Sequence, residues 1–132
     1  MKLKSPKQKG SRLERRIAED LRHSGLDTEA RRMPLSGAFD TLKSDILTSL
    51  PLSIECKNQE TWNPLKYYEQ AESGAKQQEI PLVIMGKNNT QPFAFLSWDH
   101  FMQILLYAKS GGWTQELLYS KHRQTKRIVK KG

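Results

Sequence analysis

Cysteine is nearly absent from this chain of 132 residues. The single one, Cys56, excludes an intrachain disulfide framework and a cysteine-based zinc site. No apolar run approaches the roughly 20 residues that a bilayer-spanning helix needs, and the Lys-rich start has no apolar stretch behind it. Membrane-spanning and secreted readings are therefore poor, and an intracellular, cytoplasmic protein is expected. The three histidines, His23, His100 and His122, are scattered without ligand spacing, so neither a histidine metal site nor a nucleophilic triad has support. There is no glycine-rich phosphate loop, because Gly86-Lys87-Asn88-Asn89 reads as a plain turn. Internal repeats and low-complexity linkers are lacking too. Acidic residues are in short supply: 14 Asp and Glu face 22 Lys and Arg, a net charge of +8. On one small domain that excess favours a polyanionic partner, nucleic acid or an anionic membrane. The basic residues form no amphipathic helix with a wide apolar face, which disfavours the membrane.

What is present is enough for one soluble domain with a single core. Lysines cluster at the start (Lys2, Lys4, Lys7, Lys9) and basic residues again over Lys121–Gly132, predicting basic arms at residues 1–9 and 121–132 around a body at 10–120. Leu13, Ile17, Ala18 and Leu21 recur at helical spacing between Ser11, a plausible N-cap, and Gly25, a plausible C-cap. Strands are expected at Thr28–Met33, Ser44–Ser49 and Leu52–Lys57, the last two as a hairpin around Pro51. Pro64 opens a second helix running to about Glu79. Pro81–Met85 and Pro92–Leu96 read as strands. Ser97 caps a third helix, stopped by Gly111-Gly112, with Trp98, Phe101, Met102, Leu105 and Leu106 expected inward. The order α-β-β-β-α-β-β-α predicts an α/β fold, a mixed sheet flanked by helices.

Chemistry concentrates at Leu52-Ser53-Ile54-Glu55-Cys56-Lys57. Strand alternation puts Leu52, Ile54 and Cys56 inward and leaves Glu55 and Lys57 together on the other face. A tight hairpin would bring Asp45 near Glu55. Two hard oxygen ligands and one cation suit Mg²⁺, which keeps water and substrate phosphate in its shell, and the lysine can orient the attacking water. The pattern is short, and taken alone it favours an ordinary cross-strand ion pair over a site. Glu14 borders the buried stripe of the first helix beside Leu21, where a carboxylate costs desolvation. Either a metal shared with Asp45 and Glu55 or pairing with Arg15 would offset that cost. Cys56 is expected to be a buried small hydrophobe. Trp62, Tyr67 and Tyr68 read as core or interface aromatics, with base stacking as the alternative.

Five segments in order carry a resemblance. Lys9-Gly10-Ser11-Arg12-Leu13-Glu14-Arg15, Arg32-Met33-Pro34-Leu35-Ser36-Gly37, Ser44-Asp45-Ile46, Ile54-Glu55-Cys56-Lys57 and Glu69-Gln70-Ala71-Glu72 resemble the successive motifs of archaeal-type and phage Holliday junction resolvases of the PD-(D/E)XK superfamily. The likeness runs from about Lys9 to Met85. Ser44 departs from the proline of the superfamily's name. The resemblance implies a restriction-endonuclease-like core that cuts DNA with Mg²⁺, or Mn²⁺ in its place, and no organic cofactor. Asp45, Glu55, Glu14 and the backbone carbonyl of Cys56 would hold the metal. Lys57 would be the catalytic lysine, with Ser36 and Gln70 in the catalytic set. Arg15 and Arg32 would lie near the scissile phosphate. Beyond the resemblance, the basic charge of the arms and the first helix leads to the expectation that Lys9, Arg12, Lys126 and Arg127 bind DNA through backbone phosphates. A homodimer is implied, since a four-way junction has near two-fold symmetry. The alternatives are a restriction- or repair-type nuclease of the same fold and a catalytically silent DNA-binding module.

Overall fold

Helix α1 spans Pro6–His23, and the first turn of the predicted helix is not its beginning: the helix starts five residues before Ser11. Ser11 is therefore an internal residue and not the N-cap, because the stretch Lys7–Gly10 continues the helix ahead of it. The computed structural model describes residues 6–34 and 44–112. The predicted helix end holds. Gly25 takes a left-handed backbone, φ +83°, just past the last turn, a conformation open to glycine at no steric cost. Arg22 and His23 sit in that last turn, where cations offset the helix dipole.

Two short strands follow, β1 (Arg31–Arg32) and β2 (Ile46–Leu47), paired antiparallel as Arg31 with Leu47 and Arg32 with Ile46. β1 is much shorter than the predicted Thr28–Met33. Asp27 diverts the chain there, its carboxylate accepting from Glu29 N at 3.0 Å, Ser49 N at 2.8 Å and Thr48 Oγ1 at 2.6 Å. The predicted hairpin of Ser44–Ser49 with Leu52–Lys57 is also corrected. β2 ladders with β1, and β3 (Leu52–Asn58) belongs to a separate sheet of order β3-β4-β5. The backbone link to β3 is made by Asp45, whose N–H donates to Ile54 O at 2.8 Å.

β4 (Ile80–Gly86) lies parallel to β3 in register Leu52 with Ile80 through Asn58 with Gly86, and β5 (Phe93–Phe95) runs antiparallel to β4. A parallel pair needs a crossover, which α2 (Pro64–Gly74) supplies. α2 stops five residues before the predicted Glu79. Ala75 turns extended (ψ 133°), and Lys76 N donates to Glu79 Oε1 in the turn that follows.

The sheet separates two apolar clusters. Leu13, Ala18, Ile46, Ile54, Cys56 and Ile84 pack on the α1 side, with Ile17 and Leu21 at the margin. Tyr67, Ala71, Val83 and Met85 pack on the α2 side. The inward face predicted for β3 is thus right, but its opposite face is not solvated, because α2 covers it. Cys56 is buried, and desolvation pushes its thiol well above the usual range, in keeping with a packing role.

The chain divides after Leu96 into a body and a second unit. That unit is described by α3 (Trp98–Ser110), whose N-cap Ser97 accepts from His100 N at 3.2 Å as predicted. The expectation that its apolar residues point inward is not met. No α3 residue is buried, and Trp98 and Leu106 are 67% and 63% exposed. Apolar residues recur around most of this helix, so periodicity alone could not say what covers it. No helix among the described residues is long and apolar enough to cross a membrane.

Candidate active site

Three carboxylates from three elements converge at the β3 margin of the sheet. Glu14 comes from α1, Asp45 from the residue just before β2, and Glu55 from the middle of β3. Burial is the main cause of a raised pKa for each of them. Mutual repulsion adds to it: Asp45 raises both Glu14 and Glu55, and Glu14 raises Glu55 as well. Glu55 is pushed up to about 7. Neither local helix nor local strand propensity requires acids to be crowded in this way, and the cost points to a site.

Each carboxylate is anchored by a different device. Asp45 Oδ2 accepts the backbone N–H of Cys56 at 2.7 Å, so its side chain takes a donor on the β3 edge. Glu55 Oε1 lies 3.4 Å from Lys57 Nζ, two residues along the same face. Glu14 Oε2 lies 3.2 Å from Arg32 Nε, and the Arg32 guanidinium also donates to Ser11 Oγ at 3.0 Å. Sequence reasoning offered Arg15 as the partner of Glu14. The structure leaves Arg15 exposed and supplies Arg32 from β1 instead. Ser11 was read as a cap, yet it stands three residues before Glu14 on the same helical face and braces that arginine. Their spacing was a signal available in the sequence.

Lys57 has a second neighbour, which sequence reasoning read as a core or interface aromatic. Its Nζ lies 5.7 Å from the centroid of the Tyr67 ring, within cation–π range. Tyr67 belongs to α2 and is buried between that helix and the sheet, and its hydroxyl donates to Gln59 Oε1 and Thr61 O. The core reading of Tyr67 holds, while Trp62 and Tyr68 are half-buried against Phe93 and Phe95.

The other expected site residues are not drawn in equally. Gln70 is exposed on α2, next to the buried Ala71. Arg12 and Arg15 are exposed on α1. Ser36, Lys126, Arg127 and the side chain of Lys9 lie outside the described residues, as do residues 1–5 and 121–132 of the expected arms.

Family comparison adds an independent line. The family described as "Phage putative PDDEXK endonuclease" matches residues 5–130, nearly the whole chain. The chain belongs to this family. It is an endonuclease family by description, and the mixed sheet flanked by helices fits an α/β nuclease fold. No curated protein and no solved structure matches the chain.

The nuclease family is named for an acidic pair followed by a lysine, and the donor set here is all hard oxygen with one ammonium alongside. Three acids face two nearby cations, Arg32 and Lys57, so full ionisation leaves a net negative charge in a half-buried place. That chemistry fits a small divalent cation. Among the described residues no three His, Cys, Asp or Glu side chains close around one point as a protein-only cage would. Mg²⁺ does not require one, since it is commonly held by one or two carboxylates with water and phosphate completing the shell.

Proposed function

We propose that this chain is a Mg²⁺-dependent DNA endonuclease selective for branched DNA, a Holliday junction resolvase acting as a homodimer. The observation that carries the reading is the convergence of Glu14, Asp45 and Glu55 with Lys57 and Arg32 at one margin of the sheet. Asp45 and Glu55 would hold the metal, with Glu14 and the Cys56 carbonyl completing its protein ligands. When bound, the ion would lower the pKa of water and offset charge building on the phosphate.

The remaining work belongs to the chain's own groups. Lys57, held between the Glu55 carboxylate and the Tyr67 ring, has an ammonium that can orient an attacking water and balance negative charge on the five-coordinate phosphorus. Arg32 pairs with the Glu14 carboxylate and works against the burial and the Asp45 charge that raise its pKa, and its planar guanidinium suits a phosphate oxygen. The exposed Arg12 and Arg15 would hold backbone phosphates without reading sequence, and the basic tail would add to them. Two such sites in a two-fold dimer match two opposed strands of a four-way junction.

The test is cleavage of labelled four-way junction, flap, linear duplex and single-stranded DNA, each with Mg²⁺ and with EDTA. Paired, symmetric cuts across the branch, with Mg²⁺ only, are expected. Metal-dependent cutting that prefers flaps or linear duplex would replace the resolvase reading by a repair- or restriction-type nuclease. No cutting of any substrate with Mg²⁺ or Mn²⁺ would leave a silent DNA-binding module.

A further inference from the structure

Beyond the carboxylates, the outer strand of the sheet carries an aromatic patch whose placement follows from register. Lys57 stands opposite Met85, and Met85 stands opposite Phe93. In-register neighbours project to the same face, and adjacent strands are about 4.8 Å apart, so Phe93 lies roughly 10 Å across the sheet from Lys57 on the lysine's own face. Met85 between them is buried, but Phe93 is 45% exposed. Trp62 braces Phe93, with ring centroids 5.9 Å apart and planes tilted by 60°. The indole is itself fixed, since its Nε1–H donates to Gly86 O at 3.1 Å. Lys87, in the turn after β4, holds its ammonium 5.2 Å from the Trp62 centroid. Gly86, the last residue of β4, is adjacent to Leu13, the neighbour of Glu14, so the patch and the carboxylates share one end of the sheet.

An exposed aromatic braced by a second ring that carries a cation offers a π-face and a nearby charge at once. A nucleotide offers the complement, a flat base joined to a phosphate. The chain's net charge of +8 favours the same occupant.

We propose that Phe93, braced by Trp62 with Lys87 over the indole, is a stacking platform for an unpaired nucleobase beside the scissile phosphodiester. The proposal rests on the nuclease reading and deepens it by naming the substrate feature that is selected. A base inside continuous duplex has both faces covered by its neighbours, so only a branch point, flap, gap or free end can present one to Phe93. Shape selectivity then has a local source in each subunit, separate from any dimer geometry.

The test uses the full chain carrying Asp45→Asn, so that DNA is bound and not cut. Affinities are measured for a single-stranded oligonucleotide, a gapped duplex and a fully paired, relaxed, covalently closed circular duplex, which has no end. Phe93→Ala is expected to weaken binding of the first two about tenfold, the size of one base–aromatic stack, while the duplex changes by less than about twofold. Phe93→Trp should restore the difference. In the variant with the patch intact, a photoreactive 4-thiothymidine at the gap should cross-link to Phe93 or Trp62. Equal weakening for all three DNAs, no weakening, or cross-links confined to other segments would overturn the platform and leave the nuclease reading standing. Failure to bind any DNA would overturn both.

Discussion

Replacing Glu55 by glutamine should make the metal-free protein more stable while ending its activity. Glu55 is held at about 7 against an ordinary 4.5, a shift caused first by burial and then by Asp45. Ionising it in the folded state therefore costs on the order of 3 kcal/mol, with the attraction of Lys57 already counted. Between those two pH values the unfolded chain has lost this proton and the folded chain keeps it, so stability falls as pH rises through that window. Glutamine keeps the shape and removes the charge. In EDTA at pH 8, Glu55→Gln should gain up to about 3 kcal/mol, or roughly 10 °C in Tm for a domain of this size. At about pH 4.5 the two proteins should melt within a few degrees of each other, because wild-type Glu55 is then protonated. Mg²⁺ should raise the Tm of the wild type far more than that of the variant, and the variant should not cut DNA. Thermal melts by circular dichroism across that pH range, with and without Mg²⁺, read all of this. A variant less stable than wild type at pH 8, or a stability difference unchanged between pH 4.5 and 8, would refute the crowding argument.

Asp45→Asn should abolish cleavage and leave junction binding within about twofold; Asp45→Ala should also lower Tm, since the Cys56 N–H then has no acceptor, at a cost of about 1–3 kcal/mol. Arg32→Lys should lower kcat at least about tenfold, because one ammonium cannot bridge Glu14 and Ser11 as the guanidinium fork does; a wild-type rate would remove Arg32 from the site. Asp27 is held below its usual range, chiefly by the Thr48 hydroxyl, so its stabilisation is present above its unfolded pKa and is lost as pH falls through the depressed one. Asp27→Asn should accordingly lower Tm at neutral pH and much less near pH 2, as melts at the two pH values would show. Deleting residues 121–132 should flatten the salt dependence of DNA affinity, equally for junction and duplex, by about 0.9 in log–log slope for each phosphate that the tail neutralises. An unchanged slope with altered junction preference would give the tail a shape-reading role instead.

Order and alternation were legible in the chain itself. Eight elements in the sequence α-β-β-β-α-β-β-α follow from where the hydrophobic period changes and where Pro34, Pro64, Gly25 and Ser97 punctuate it. The shared face of Glu55 and Lys57 follows from a period of two, and the buried Cys56 from the same alternation. These are local properties, set by backbone geometry over a few residues. What surrounds them is not local. That Glu14 meets Arg32 and not Arg15, that Asp45 reaches the Cys56 N–H without a hairpin, and that Tyr67 lies against Lys57 were decided by how α1, β1 and α2 pack on the sheet. Each of those pairs joins residues well apart in the chain, and neither period nor propensity carries information over that distance. The same limit applies to Phe93: its spacing marks a strand, but only the parallel register of β3 on β4 and the antiparallel return of β5 set it in the row of Lys57.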